Sequence, residues 1–474
     1  MRRLMETILL AVILGMLFAI PASWAQSGSE INDLKARIEA LEKKKEGDSR
    51  PQGAGSWTDK IKLGLHLRVR NEGRFNYDRD SDIGDKDDFT LLRARLSADA
   101  NPSEKVRALI QLQASRVFGD SCLGAQPPSS CLTSSSYSPF NPGNLALGVI
   151  ADDEDITVHQ AFVDLKFLDD FTARLGRQEM LFGDERLVGA LGWSNRTRAF
   201  DGFSLIHETE AHRAQAFFHV IEYRPPSFTG GALDNDSFFT GFYNTLKEVG
   251  KGMDYYFLAF LDGDGAVPTA QDENLFIYTL GLRTKDMPKE GFGYDFEGAF
   301  QAGENDAVKI YAFAAHVARG YGLGGDLAPY VTLEYNVASG EDGIGNDNAF
   351  KNLFPTNHCK YGCIDFMTWS NTHNFRGGIS IVPVEALTVA LDYRLFLSQE
   401  KTGKLGILTA TNAGNTPVAD RFYGQELDVV LNYAFDKYAK LHGGYSLFLP
   451  GDMFPATNDD SVHFVYAQVQ VDVQ

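Results

Sequence analysis

Between Arg174 and Phe203 the sequence RLGRQEMLFGDERLVGALGWSNRTRAFDGF sets five arginines and four carboxylates among large apolar residues. The carboxylates are Glu179, Asp184, Glu185 and Asp201. Guanidinium forks match carboxylate geometry and stay charged at any physiological pH. Such a set can hold an anionic ligand, or it can brace itself internally. It is recognition chemistry rather than bond-breaking chemistry. The ten histidines are scattered from His66 to His463 and form no triad with a serine and a carboxylate. No G-x-S-x-G occurs, and the CxxCH of a haem site is missing. The chain therefore reads as a non-enzyme with no cofactor.

Cysteine usage points to an oxidising compartment. Cys122 and Cys131 lie in one loop-like stretch, and Cys359 and Cys363 enclose KYG in another, Asn346–Asn371. Two local disulfides are expected. The alternative is a metal site at His358-Cys359…Cys363, which has no clear fourth ligand. Three acidic runs, Asp80–Asp88, Ala151–Asp155 and Asp262–Gly265, lack full EF-hand spacing and read as solvated loops.

The elements that position these residues follow from the N-terminus onward. Arg2 and Arg3 precede an apolar run from Ile8 to Ile20, and Ser23 and Ala25 suit cleavage before Gln26. Residues 1–25 thus read as a secretory signal peptide, too short in its apolar part to span ~30 Å of hydrocarbon. Within 26–56, residues 29–45 form a short amphipathic helix with Ile31, Leu34, Ile38 and Leu41 at coiled-coil spacing, followed by a linker. That helix could join copies of the chain into a homo-oligomer.

From residue 57 to 474 the texture is uniform. KLGLHLRVR places Leu63, Leu65, Leu67 and Val69 on one face and Lys62, His66, Arg68 and Arg70 on the other. The same period of two recurs in about 17 segments of roughly ten residues, with Tyr and Phe near their ends. Strands of soluble proteins average about five or six residues; these have the length that crosses a bilayer at a tilt. The fold class is all-β, a transmembrane antiparallel β-barrel. Even strand counts are the rule, so 18 strands are expected, with 16 the alternative. Partners are then outer-membrane lipid of a Gram-negative bacterium and a solute in the lumen. The net charge of −19 opposes nucleic acid.

In such a barrel Arg68, Arg70, Arg93, Arg95 and Arg107 face inward. Of the 24 arginines, 15 lie between Arg68 and Arg224. One part of the wall is therefore basic. It either forms an electropositive path for anions, or its arginines pair with luminal acids such as Asp99, Asp164, Glu297 and Asp392. The stretch between the strands FTARLGRQEM and DGFSLIHE, from Leu181 to Ala199, is too apolar for a free loop. It is expected to fold inward and narrow the pore; an ordered extracellular loop is the alternative.

The same stretch resembles the signature of the alginate export family of outer-membrane proteins. The matching residues are Gly176-Arg177-Gln178, Gly183-Asp184-Glu185-Arg186-Leu187, Trp193-Ser194-Asn195 and Arg198-Ala199-Phe200-Asp201-Gly202. The resemblance implies an 18-stranded barrel with an electropositive pore that passes an anionic polyuronate. It implies that Arg177, Asp184, Arg186, Asn195, Arg198 and Asp201 shape that pore; Arg174, Glu185 and Trp193 of the same stretch are further pore candidates. Two features depart from the pattern: the added helix at 29–45, and a chain ending in Gln474, with Tyr466 the nearest aromatic. The functional expectation is a passive channel for anionic solutes or polysaccharide. The alternatives are a general porin, or a barrel sheathing a partner such as a multihaem cytochrome.

Overall fold

The computed structural model describes residues 60–77, 79, 86–119, 153–222, 237–249, 251–262, 274–305, 308–342, 345–401, 420–454 and 459–473. The signal peptide, the 29–45 helix, Cys122 and Cys131 lie outside the described residues, as do most of the three acidic runs.

Eighteen strands form one sheet. They are β1 (Ile61–Phe75), β2 (Asp87–Ser103), β3 (Val106–Phe118), β4 (Asp153–Leu168), β5 (Phe171–Gln178), β6 (Phe200–Glu208), β7 (His212–Glu222), β8 (Ser237–Leu246), β9 (Met253–Asp262), β10 (Leu275–Asp286), β11 (Gly291–Asn305), β12 (Val308–Gly322), β13 (Tyr330–Ala338), β14 (Thr372–Val384), β15 (Leu387–Leu397), β16 (Phe422–Ala434), β17 (Ala439–Pro450) and β18 (Val462–Val473). Each pairs antiparallel with its sequence neighbours, and β1 also pairs with β18, from Leu65↔Val473 to Phe75↔His463. The sheet therefore closes and leaves no edge, so every strand finds hydrogen-bond partners without water. Short turns join strands at one end, such as 169–170 and 385–386; the long connections, 179–199 and 339–371 among them, leave the other end.

Alternation sorts the side chains. Leu63, Leu65 and Val69 of β1, Leu96 of β2 and Val163 and Leu165 of β4 are exposed on the outer face. Arg68, Arg70, Glu72 and Arg74 point inward and are buried. An apolar outer belt around a polar interior inverts the arrangement of a water-soluble protein and suits hydrocarbon. The interior is not hollow. Phe350, Leu353, Phe354, Tyr361, Phe366 and Trp369 of the 339–371 connection are buried, as are Phe182, Leu187 and Val188 of the 179–199 connection. Both connections enter the barrel and pack there with inward-facing aromatics of the wall, including Phe217, Phe239, Tyr243 and Tyr256.

Candidate functional site: a lumen crossed by two infolded loops

The neck of the first loop is built by the two halves of the sequence signature. Gly176↔Gly202, Arg177↔Asp201 and Gln178↔Phe200 pair in register across β5 and β6. Gly176 adopts φ +122°, and a Cβ there would lie 2.2 Å from the carbonyl of Ala161 on β4. Only glycine permits that approach. The strands then stop, and the chain turns inward.

Inside, the loop is caught by the basic wall. Arg68 donates to the carbonyls of Gly192 (2.8 Å) and Ser194 (3.0 Å) and to Asn195 Oδ1 (3.4 Å). Arg93, directly opposite Arg68 on β2, donates to the same two carbonyls at 3.0 and 2.9 Å. Arg70 donates to Trp193 O (2.7 Å), while its guanidinium lies 3.6 Å from the centroid of the Trp193 ring. Arg95 reaches Thr197 Oγ1, Gln113 (2.8 Å) and Glu179 (3.4 Å). Asn195 is buried, with Nδ2 donating to Arg116 O and its carbonyl accepting from Ser115 Oγ. Burial opposes ionisation of Glu179, yet the hydrogen bond from His159 and the charge of Arg95 hold its carboxyl below the ordinary range.

The second loop meets the first inside the barrel. Val188 and Phe354 form a short parallel bridge: Phe354 N donates to Leu187 O, and Gly189 N donates to Phe354 O, each 2.8 Å. Arg198 donates to Gly189 O (3.0 Å) and Phe354 O (2.5 Å), tying the two chains together. Glu185 accepts from Thr356 Oγ1 at 2.6 Å. Trp193 is sandwiched, Arg70 on one face and His358 stacked on the other with centroids 3.5 Å apart. The second loop's tip carries the disulfide Cys359–Cys363. These sulfurs are bonded to each other, so they are not thiolate ligands, and the metal reading of His358-Cys359…Cys363 is set aside.

Arg186 crosses to the opposite wall. It lies 3.5 Å from Asp184 and 3.8 Å from Glu297 of β11, and within 3.2 Å of His316 of β12. Asp184 is also 3.5 Å from Lys360 of the second loop. Burial opposes its ionisation, but Lys360 and Arg186 hold Asp184 below its ordinary range.

The remaining candidates lie apart from this crossing. Arg107 pairs with Asp99 (3.0 Å) and Asp164 (3.3 Å), and Arg174 with Asp164 (2.7 Å), in a ladder on the β2–β5 wall. Arg177 and Asp201 pair with each other on the face of Leu175, Phe203 and Leu205, which is the outer one. This corrects their expected place in the pore: strand parity turns them outward. The expected acid partners do pair, Asp99 and Asp164 as above, Glu297 with Arg186 and with Arg283 (3.9 Å), and Asp392 with Arg376 (2.8 Å). Arg68 and Arg93 have no carboxylate within ion-pair distance among the described residues.

Sequence reasoning missed Glu72, Arg283, Glu334 and Arg394, and it missed the inward path of the second loop. The signal for that path is the density of aromatics in AFKNLFPTNHCKYGCIDFMTWSN. A solvated loop would not carry them.

Fold and interior together define a closed 18-stranded barrel into which, among the described residues, two connections fold. The chain belongs to the alginate export family, whose model matches residues 59–468. No curated protein matches it. Solved structures share the fold. OccAB1 of Acinetobacter baumannii aligns with TM-score 0.54 at 13% identity, covering 90% of this chain and 99% of that one. OccK1 (OpdK) of Pseudomonas aeruginosa aligns with TM-score 0.54 at 12% identity, covering 88% and 99%. OccK11 (OpdR) of the same organism aligns with TM-score 0.51 at 13% identity, covering 88% and 97%.

Proposed function

We propose that this chain is a non-enzymatic outer-membrane channel of a Gram-negative bacterium that passes anionic solutes, a polyuronate among them, by diffusion past the loop crossing. The observation that carries this reading is the Arg68–Arg93 pair. Two guanidiniums face each other beside the infolded loop, and among the described residues neither has a carboxylate within ion-pair distance. Uncompensated positive charge in a narrow, low-dielectric passage attracts anions and repels cations. Arg70 and Arg95 add to the field, each partly offset by a glutamate. The export signal at 1–25 and the apolar outer belt support the location, and residues 29–45 could join copies on the periplasmic side.

A second reading has its own observation. Every one of Arg68, Arg70 and Arg93 donates to loop carbonyls, which suits a general porin whose arginines are braces. A sheath around a protein partner is disfavoured, because the Val188–Phe354 crossing occupies the space such a partner needs.

The test is the reversal potential of the purified, refolded protein in a planar bilayer under a KCl gradient, with and without polyuronate. Chloride preference together with block by the polymer supports the anion channel. Cation preference, or no block, leaves the general porin.

A further inference from the structure

A few strands round the wall from the Arg68–Arg93 pair, past β18 and β17, carboxylates outnumber guanidiniums. Asp392, Arg376, Glu334, Arg394 and Asp428 form a chain across β13–β16: Arg376 to Asp392 at 2.8 Å, Arg376 to Glu334 at 2.7 Å, Arg394 to Glu334 and to Asp428 at 3.8 Å each. His316 stands 3.8 Å from Glu334. Glu426 follows two residues before Asp428 on the same inward face of β16. Four carboxylates thus share two guanidiniums. Asp392 stands directly opposite Asp428, like charge against like.

Glu426 and Asp428 are each 1% exposed. Arg394 is opposite Glu426 in register, but it does not pair with it. Its terminal nitrogens donate instead to Lys360 O (3.1 Å), Cys359 O (3.0 Å) and Asn374 Oδ1 (3.1 Å). Glu426 Oε1 accepts from Ile364 N at 3.0 Å. Glu426 Oε2, both oxygens of Asp428 and Ser446 Oγ have no hydrogen-bond partner. Ser446, also 1% exposed, lies directly opposite Asp428 on β17. Above them passes the loop tip, where Gly362 has φ +99° and comes so close that a Cβ would sit 2.5 Å from Glu426 Oε2.

We propose that Glu426, Asp428 and Ser446 form a binding site for a hard divalent cation of the Ca²⁺ type, which clamps the CKYGC tip of the second loop to the wall. Four oxygens without a hydrogen-bond partner, of which only Asp428 Oδ2 faces a cation, Arg394 Nε at 3.8 Å, are the donor set of such an ion. Water could satisfy their hydrogen bonds but not the negative charge of the pair once both carboxylates are ionised, whose burial is costly unless a counter-charge is present. One divalent ion cancels both. Among the described residues no three His, Cys, Asp or Glu side chains come together as a metal cluster; here the two carboxylates are supplemented by a hydroxyl and by water. Ca²⁺ accepts such an irregular shell, whereas Mg²⁺ demands a near-ideal octahedron. This inference does not depend on anion selectivity.

The experiment is equilibrium dialysis of the full chain, refolded without lipopolysaccharide and washed with EGTA, against labelled Ca²⁺ at neutral pH. Heat-modifiable mobility in gels reports that each variant has folded. One Ca²⁺ per chain is expected, resistant to equimolar Mg²⁺, with affinity at least tenfold weaker in Asp428→Asn and several-fold weaker in the milder Ser446→Ala. Equal binding by wild type and both variants would overturn the proposal. So would the absence of binding at neutral pH, the result expected if a shared proton supplies the counter-charge.

Discussion

Arg68 of β1 and Arg93 of β2 stand directly opposite each other and donate to the same two carbonyls, Gly192 O and Ser194 O. Like charges across a strand pair repel. They are tolerated here because a bent main chain turns two carbonyl dipoles toward them. The loop needs the arginines, and the arginines need the loop.

Removing one partner should therefore release the first loop. A hydrogen bond from a charged donor contributes about 1.5–3 kcal/mol. Arg93→Ala should leave the barrel assembled but raise single-channel conductance and its noise, and weaken chloride preference. Arg93→Lys, which keeps charge but loses the fork, should restore selectivity more than quietness. Unchanged records in Arg93→Ala would show that neither loop nor selectivity depends on the pair.

The bridge between Val188 and Phe354 should set the width of the passage. Phe354 is 1% exposed and packs edge-on against Phe200, Phe239 and Phe260. Phe354→Ala costs about 3–5 kcal/mol of packing. The expected result is a larger unit conductance and a lower melting temperature of the loops, with the barrel's heat-modifiable band retained.

Reduction of the Cys359–Cys363 disulfide should act locally. It closes a loop of only a few residues, which corresponds to about 2 kcal/mol in the chain-entropy picture. Dithiothreitol should increase gating events without unfolding the barrel, and the double Cys→Ser variant should show the same noise and no response to reductant.

Acid should loosen the loop crossing. The Asp184 carboxyl sits below its ordinary range because Lys360 and Arg186 outweigh its burial. A depressed carboxylate contributes stability that is present above its unfolded pKa, near 4, and is lost as pH falls through the folded value. Glu179, on the other side of the same loop, shifts in the same direction. Channel noise should thus rise as pH drops below about 4. In Asp184→Asn part of that rise should already be present at pH 7. A pH-independent record would remove these ion pairs from the account.

The strands were legible where one face meets polar interior and the other does not. β1, β2 and β12 alternate cleanly because Arg68, Arg93 and His316 look inward while Leu65, Leu96 and Val317 look out. Alternation blurs in β7 and β8, where Phe217, Phe239 and Tyr243 face inward against the infolded loops. Both faces are then apolar, and a count of about 17 segments falls one short of 18. The signature around Arg174–Phe203 was legible as a block, but its parts do different work. Gly176, Arg177, Asp201 and Gly202 shape the neck, whereas Trp193, Asn195 and Arg198 hold the crossing.

The sequence by itself determined an all-β chain of long alternating strands with its arginines concentrated between Arg68 and Arg224, because period-two patterning and residue placement are local properties. Only the tertiary structure decided which charges meet. Arg68 and Gly192 are separated by 124 residues, and Val188 meets Phe354 across the barrel. Closure of the sheet brings them together. It also decides that Arg177 looks out while Arg174 looks in, since parity about Gly176 is fixed by the register with β4 and β6.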